Sequence, residues 1–206
     1  MAPALEVLFA QTTEAYRKDP FALNPVLEIV DASKGSLGIY HGAAVEDPSI
    51  LVILVPWATL EDHNALINDK ERYAKLVEVF AKAGDVSTIN LFHVYFDGDL
   101  ATVLNAPFTS FTHIISAKPG KTNDDLQATV KTLASLPQVT GCHGGSFAKA
   151  VEKDEYVMLY GWDDPKIHHA AAELEETQKA VKQAAEVIDQ IKYGHVKLVT
   201  YKRYQS

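Results

Sequence analysis

Histidine is the side chain in this sequence best suited to moving protons near neutral pH, and its positions follow a pattern. His63 lies six residues after Trp57, and His168 lies six residues after Trp162. From Trp57 to Trp162 and from His63 to His168 the offset is the same, 105 residues. An imidazole beside an indole suits general acid/base work on an aromatic ligand, with His63 or His168 moving the proton and Trp57 or Trp162 stacking on the ring. The structural reading is a pair of core anchors at a strand–helix junction. His93, in NLFHVYF, and His113, in FTHIISA, sit inside apolar runs. Burying an imidazole without a partner is costly, so both mark a cavity or a hydrogen-bonded core site. Tyr95 shares a strand face with His93, and Tyr160 precedes Trp162, so both are candidate ligand contacts. His41 and His143 each precede a glycine, where a ligand can approach the backbone, although an exposed strand-end histidine is the commoner case. By sequence His93 aligns with Leu198, so the halves differ there.

No metal site is expected. Zinc spacing, the P-loop and the dinucleotide fingerprint are missing from the sequence. His168 and His169 are adjacent on a helix and diverge by about 100°, which prevents chelation by that pair. The lone Cys142 rules out an intrachain disulfide and reads as a small apolar residue.

The elements that must place these residues come in two sets. ILVILVPW (50–57) pairs with YVMLYGW (156–162) as a buried strand, and a helix cap follows each Trp by two residues. Thr59 with Asp62 forms one cap, and Asp164 with Pro165 the other. Amphipathic stretches over 60–83 and 165–190 follow, the first carrying Leu60, Ile67, Leu76, Val77 and Phe80 inward, the second Ile167, Leu174, Val181, Ala185 and Ile188. Strands at 87–96 and 194–204 end the two halves. LEVLFAQ (5–11) and FTHIISA (111–117) open them; helices start near Asn24–Pro25 and at Thr122, capped with Asp125 three residues later. Each half therefore reads β-α-β-β-α-β, the ferredoxin-like unit. The expected fold is α+β, with repeats at 1–108 and 109–206. Their strands are apolar at nearly every position, so each sheet needs cover on both faces, and face-to-face packing into one intrachain α+β barrel is expected.

The bulk properties narrow the function. A formal charge of −8 repels phosphate backbones and anionic membranes, so neither nucleic acid nor membrane is an expected partner. The stretch MAPALEVLFAQ has no basic region and is too short for a secretory signal, and no apolar run reaches the roughly 20 residues of a membrane helix. A cytoplasmic location is expected.

A strand ending in Trp, a short cap and then His in the first helical turn resembles the antibiotic-biosynthesis-monooxygenase-like domains of the dimeric α+β barrel superfamily, in a tandem form of fungal type. The likeness covers roughly 36–96 and 111–204 and rests on W-x-x-x-x-D-H and W-x-x-x-x-x-H. It implies a pocket between helices and sheet in each repeat. It also implies a small apolar or aromatic, polyketide-like molecule of secondary metabolism as ligand, and leaves room for a homodimer of the tandem barrel. The activities implied are cofactor-independent oxygenation, cyclisation or dehydration. Two alternatives stand beside them: a non-catalytic ligand-binding or stress-related barrel, and a haem-binding enzyme with His63 or His168 as axial ligand.

Overall fold

The computed structural model describes residues 2–136 and 138–205. Two compact units emerge: unit 1 is Met1–Tyr95 with Val196–Ser206, and unit 2 is Phe96–His195.

Unit 1 runs β1 (Ala4–Thr12), α1 (Glu14–Lys18), a short 3-10 turn (Pro20–Leu23), α2 (Asn24–Asp31), β2 (Ile39–Ala43), β3 (Ile50–Trp57), α3 (Leu60–Asn68), α4 (Lys70–Phe80) and β4 (Gly84–Val94). Unit 2 runs α5 (Leu100–Leu104), β5 (Phe108–Ala117), α6 (Asn123–Ala134), β6 (Cys142–Lys149), β7 (Tyr156–Trp162), α7 (Pro165–Ala172), α8 (Glu175–Ala184) and β8 (Ile188–Val196). A last strand, β9 (Val199–Lys202), returns to unit 1. The sheets are ordered β4-β1-β3-β2-β9 and β6-β7-β5-β8; β1 runs antiparallel to β3 and β4, β2 to β3 and β9, and β7 to β5 and β6. Removing β9 leaves the same order in both, so the chain is a tandem of two ferredoxin-like α+β repeats.

The alternation of side chains explains the layering. In unit 1, Ala4, Leu8 and Ala10 of β1 and Leu51, Ile53, Val55 and Trp57 of β3 share a face with Val26, Leu27 and Val30 of α2 and with Leu66, Val79 and Phe80. Leu5, Val7, Val52 and Leu54 alternate with them and are just as buried, which is why these strands read as continuous apolar runs. Unit 2 repeats this with Ile114, Tyr156 and Met158 against Leu126, Val130 and Ala184.

The caps fall where the sequence puts them. Thr59 accepts from the Asp62 N–H, Asp164 from the Lys166 N–H, and Thr122 with Asp125 completes a capping box. Asn24 is instead the first residue of α2, with Leu23 as its cap. Three further expectations need correction. Each long helical stretch is two helices, broken at Asp69, which caps α4, and at Glu173–Leu174. The break resets the helical phase, so Leu174 and Val181 are about half exposed while Ala180 and Ala184 face inward. Residues 194–204 are not one strand: β8 ends at Val196, and β9 pairs with β2 in the other sheet. His41 is no exposed strand end; it lies within β2 at 1% exposure.

Candidate functional site

The site in unit 1 is assembled by strand register. Ala4 pairs with Trp57 across β1 and β3, so Glu6 stands diagonally from Trp57 on the helix-facing side of the sheet. Glu6 also pairs directly with His93 of β4. The Thr59 cap starts α3 so that His63, in its first turn, swings back over the Trp57 indole. The imidazole stacks on the indole with centroids 4.8 Å apart and planes 15° apart. Trp57 donates its indole N–H to Glu6 Oε2 at 2.8 Å, and His63 Nε2 lies 3.5 Å from the same oxygen. On the other edge of the ring, His63 Nδ1 shares a hydrogen bond with His93 Nε2 at 2.5 Å. The four side chains are buried, Glu6 being the most exposed at 6%.

The result is a row, Glu6–His63–His93, in which each group has a neighbour able to give or take a proton. Buried carboxylates and imidazoles are expensive unless held in this way. The row borders a cavity of about 60 Å³ between the sheet and α2, α3 and α4. Glu6 and His63 are its polar end, and Leu8, Val26, Leu27, Ile53 and Leu66 are among its apolar walls. Tyr73 and Ile89 also line it, at 37% and 36% exposure, and so mark its mouth.

Glu6, His63 and His93 bring potential ligand atoms within 4.8 Å of one another, a donor set that metals use elsewhere. Here Glu6 faces Nε2 of His63 and His93 faces Nδ1. Those lone pairs diverge, so an ion shared by all three would have to break the His63–His93 bond. The arrangement is a linked row of one carboxylate and two imidazoles.

Unit 2 carries the same figure with one change. Trp162 stacks on His168 at 4.4 Å and 14°, and His168 Nδ1 shares a hydrogen bond with His195 Nε2 at 2.8 Å. The indole N–H donates to Ser110 Oγ at 2.9 Å. Phe108 pairs with Trp162 as Ala4 pairs with Trp57, so Ser110 occupies the place of Glu6. His93 therefore corresponds to His195, not to Leu198. The segment between paired histidines is three residues shorter in unit 2 (63 to 93 against 168 to 195), which displaced the sequence alignment.

The other candidates lie apart. His113 is fully buried, on the sheet face opposite Ser110, and its Nε2 bonds Glu155 at 2.6 Å. Burial lowers its pKa, and the Glu155 contact offsets part of that. His41 Nδ1 shares a 2.8 Å hydrogen bond with the Tyr16 hydroxyl; burial holds His41 down at about 4 and pushes Tyr16 up. His143 is exposed and pairs with Asp163 at 2.7 Å. Tyr95 lies past the end of β4 at 47% exposure. Tyr160 shares the helix-facing side of β7 with Trp162, pairs with Ser110 across the strands, and has its pKa raised by burial. Sequence reasoning missed Glu6, Ser110 and His195. A glutamate inside the apolar run ALEVLF was the available signal for the first. Among the described residues no helix is long and apolar enough to cross a membrane.

No family model and no curated protein matches the sequence. Solved structures match its fold along nearly the whole chain. An anthrone oxidase-like protein superposes with a TM-score of 0.73 at 18% identity, over 99% of this chain and 94% of that one. A candidate monooxygenase of Fusobacterium nucleatum gives 0.66 at 10% identity, over 100% and 96%. Another, of Lactobacillus acidophilus NCFM, gives 0.62 at 9%, over 99% and 98%. At such identities the likeness is one of fold, and the fold this chain shares with them is the tandem of two ferredoxin-like repeats.

Proposed function

We propose that unit 1 binds an apolar, ring-bearing molecule with an acidic O–H or C–H and ionises it for reaction with dioxygen. The observation that carries this reading is the placement of Glu6 and His63 at the one polar end of an apolar cavity, with His93 behind them. The ligand's proton passes to Glu6 or His63, and the row spreads the positive charge towards His93. General acid/base help of this kind contributes roughly 10²–10⁴-fold. The electron-rich anion left behind reacts with dioxygen without a cofactor. For anthrone, loss of the ring C–H proton gives an enolate. The enolate passes one electron to dioxygen, the radicals combine to a peroxide anion that takes back the proton held by the row, and the hydroperoxide loses water, with its remaining C–H proton, to leave the new carbonyl. One anthrone and one dioxygen become one anthraquinone and one water. The descriptions of the fold neighbours, an anthrone oxidase-like protein and candidate monooxygenases, agree with this chemistry.

The cavity sets a condition. Benzene occupies an apolar cavity of about 150 Å³, against about 60 Å³ here. A ring therefore enters only as Tyr73, Leu76 and Ile89 move aside. A haem does not suit His63, whose ring nitrogens face Glu6 and His93. The small cavity also favours a second reading, in which unit 1 is a non-catalytic barrel repeat and the row is structural. Anthrone in aerated buffer separates them. The oxygenase reading expects anthraquinone absorbance and oxygen uptake well above the buffer rate, lost in His63→Ala while the fold persists. No acceleration by the unaltered chain, with a sharp fall in melting temperature for His63→Ala, supports the structural reading.

A further inference from the structure

A ring does not fit the unit 1 cavity of about 60 Å³ as it stands, so a wall must yield. Three walls are well held. Glu6 and Leu8 lie on β1, and Ile53 and Val55 on β3, strands with a hydrogen-bonded neighbour on each flank. Val26, Leu27 and Val30 of α2 are buried. α4, which carries Tyr73 and Leu76, is tied to α2 by Arg72: its Nη2 donates to the Ile29 carbonyl at 3.1 Å and to Ser33 Oγ at 2.9 Å. The fourth wall, β4, is different. It is the edge of its sheet, and its ladder with β1 is interrupted. Asn90 pairs with Phe9 and Asp85 with Gln11, so residues 86–89 bulge opposite Ala10 alone. Ile89, on this bulge, lines the mouth of the cavity.

We infer that the bulge at 86–89 is the wall that gives way to a ring, and that Ile89 sets the size of ring admitted. The bonds that hold the bulge face water. The Gln11 N–H donates to Thr88 Oγ1 at 2.8 Å, and Thr88 Oγ1 donates to the Asp85 carbonyl at 2.8 Å. The Ser87 N–H and hydroxyl donate to Asp85 Oδ1 at 2.9 and 2.7 Å. Exposed bonds on a sheet edge open at low cost, whereas buried walls open with the fold itself. β4 is also longer than β8, 11 residues against 9, so the two copies differ in length in the strand that bears the bulge. The inference rests on unit 1 as the ligand site, and not on the oxygenation that follows.

The test uses the full chain with phenol and 1-naphthol, one ring and two, each with an acidic O–H. Calorimetry gives the dissociation constants, and stopped-flow fluorescence of the naphthol gives the association rate. Ile89→Ala should tighten 1-naphthol at least about fivefold and phenol by less than about twofold. Thr88→Val removes both bonds of its hydroxyl and should speed 1-naphthol association at least about threefold, because a binding step that waits on opening is slow. Thr88→Ser keeps the hydroxyl and should match the unaltered chain. Arg72→Met frees α4 and should stay within about twofold of the unaltered rate. Leu76→Phe fills the void and should remove the binding. Near-ultraviolet circular dichroism checks that each variant is folded; if Thr88→Val is not, Thr88→Ala carries the same expectation. Faster association in Arg72→Met but not in Thr88→Val, equal gains for both ligands in Ile89→Ala, or binding that survives Leu76→Phe overturns the inference. No 1-naphthol binding by the unaltered chain or by Ile89→Ala overturns it together with the ligand site. The expected shifts without anthrone oxidation leave it standing and overturn the oxygenase reading.

Discussion

Glu6 shows how one side chain sets the character of a site. A carboxylate with 6% exposure needs donors, and it has the Trp57 indole N–H at 2.8 Å and the His63 edge at 3.5 Å. The stacked Trp–His pair is thus shaped by the fold and also aims an imidazole at a cavity. Only the pair was legible in the sequence, because its repeat at 105 residues from Trp57 to Trp162 needs no register to be seen. Glu6 and Ser110 become equivalent only through strand pairing, which no local spacing reveals. His41 makes a separate prediction at this scale. Burial lowers its pKa from 6.5 to about 4, so between those values the unfolded chain binds more protons than the folded one. Its contribution is full above pH 6.5 and is lost as the pH falls through about 4, a total of about 3 kcal/mol. Melting temperature followed from pH 7 to pH 4 should fall less steeply in His41→Leu than in the unaltered chain. Parallel curves would contradict the assignment.

At the scale of elements, periodicity identified helices and strands but not their interruptions. Asp69 ends one helix by capping the next, and the polar stretch NDKER gave no glycine or proline to mark it. The three-residue shortening between His168 and His195 hid the second imidazole pair: α8 is one residue shorter than α4, and His195 stands seven residues after the start of β8 where His93 stands nine after the start of β4. The element that most affects the cavity is α4, which brings Tyr73, Leu76 and Val77 to its wall. Leu76→Phe should fill the void, abolish anthrone turnover and change stability by no more than about 1–2 kcal/mol. Retained turnover would place the reaction elsewhere. β9 makes a second prediction. It pairs with Ile39, Tyr40 and His41, and Lys202 reaches Asp31 at 2.7 Å and the Ser36 carbonyl at 2.9 Å. Ending the chain at Lys197 should cost roughly 2–3 kcal/mol, at about 1 kcal/mol per lost hydrogen bond. An unchanged denaturation midpoint would show that the strand adds nothing.

For the whole molecule, duplication explains why the fold was readable where the function was not. Two copies of one element order gave two independent views of each strand and helix, and the apolar runs matched strands buried on both faces. The receivers of the two indole N–H groups differ by a single exchange, Glu6 against Ser110, and it carries almost no weight in composition or periodicity. The charge of −8 disfavours polyanionic ligands, which accords with an apolar cavity and a small molecule. The most direct measurement is dioxygen consumption by the unaltered chain with anthrone, repeated with Glu6→Gln. One dioxygen should be consumed and one anthraquinone formed per anthrone, well above the buffer rate, with only a few per cent of that rate left in the variant. Consumption no faster than in buffer, or an undiminished rate in Glu6→Gln, would contradict it.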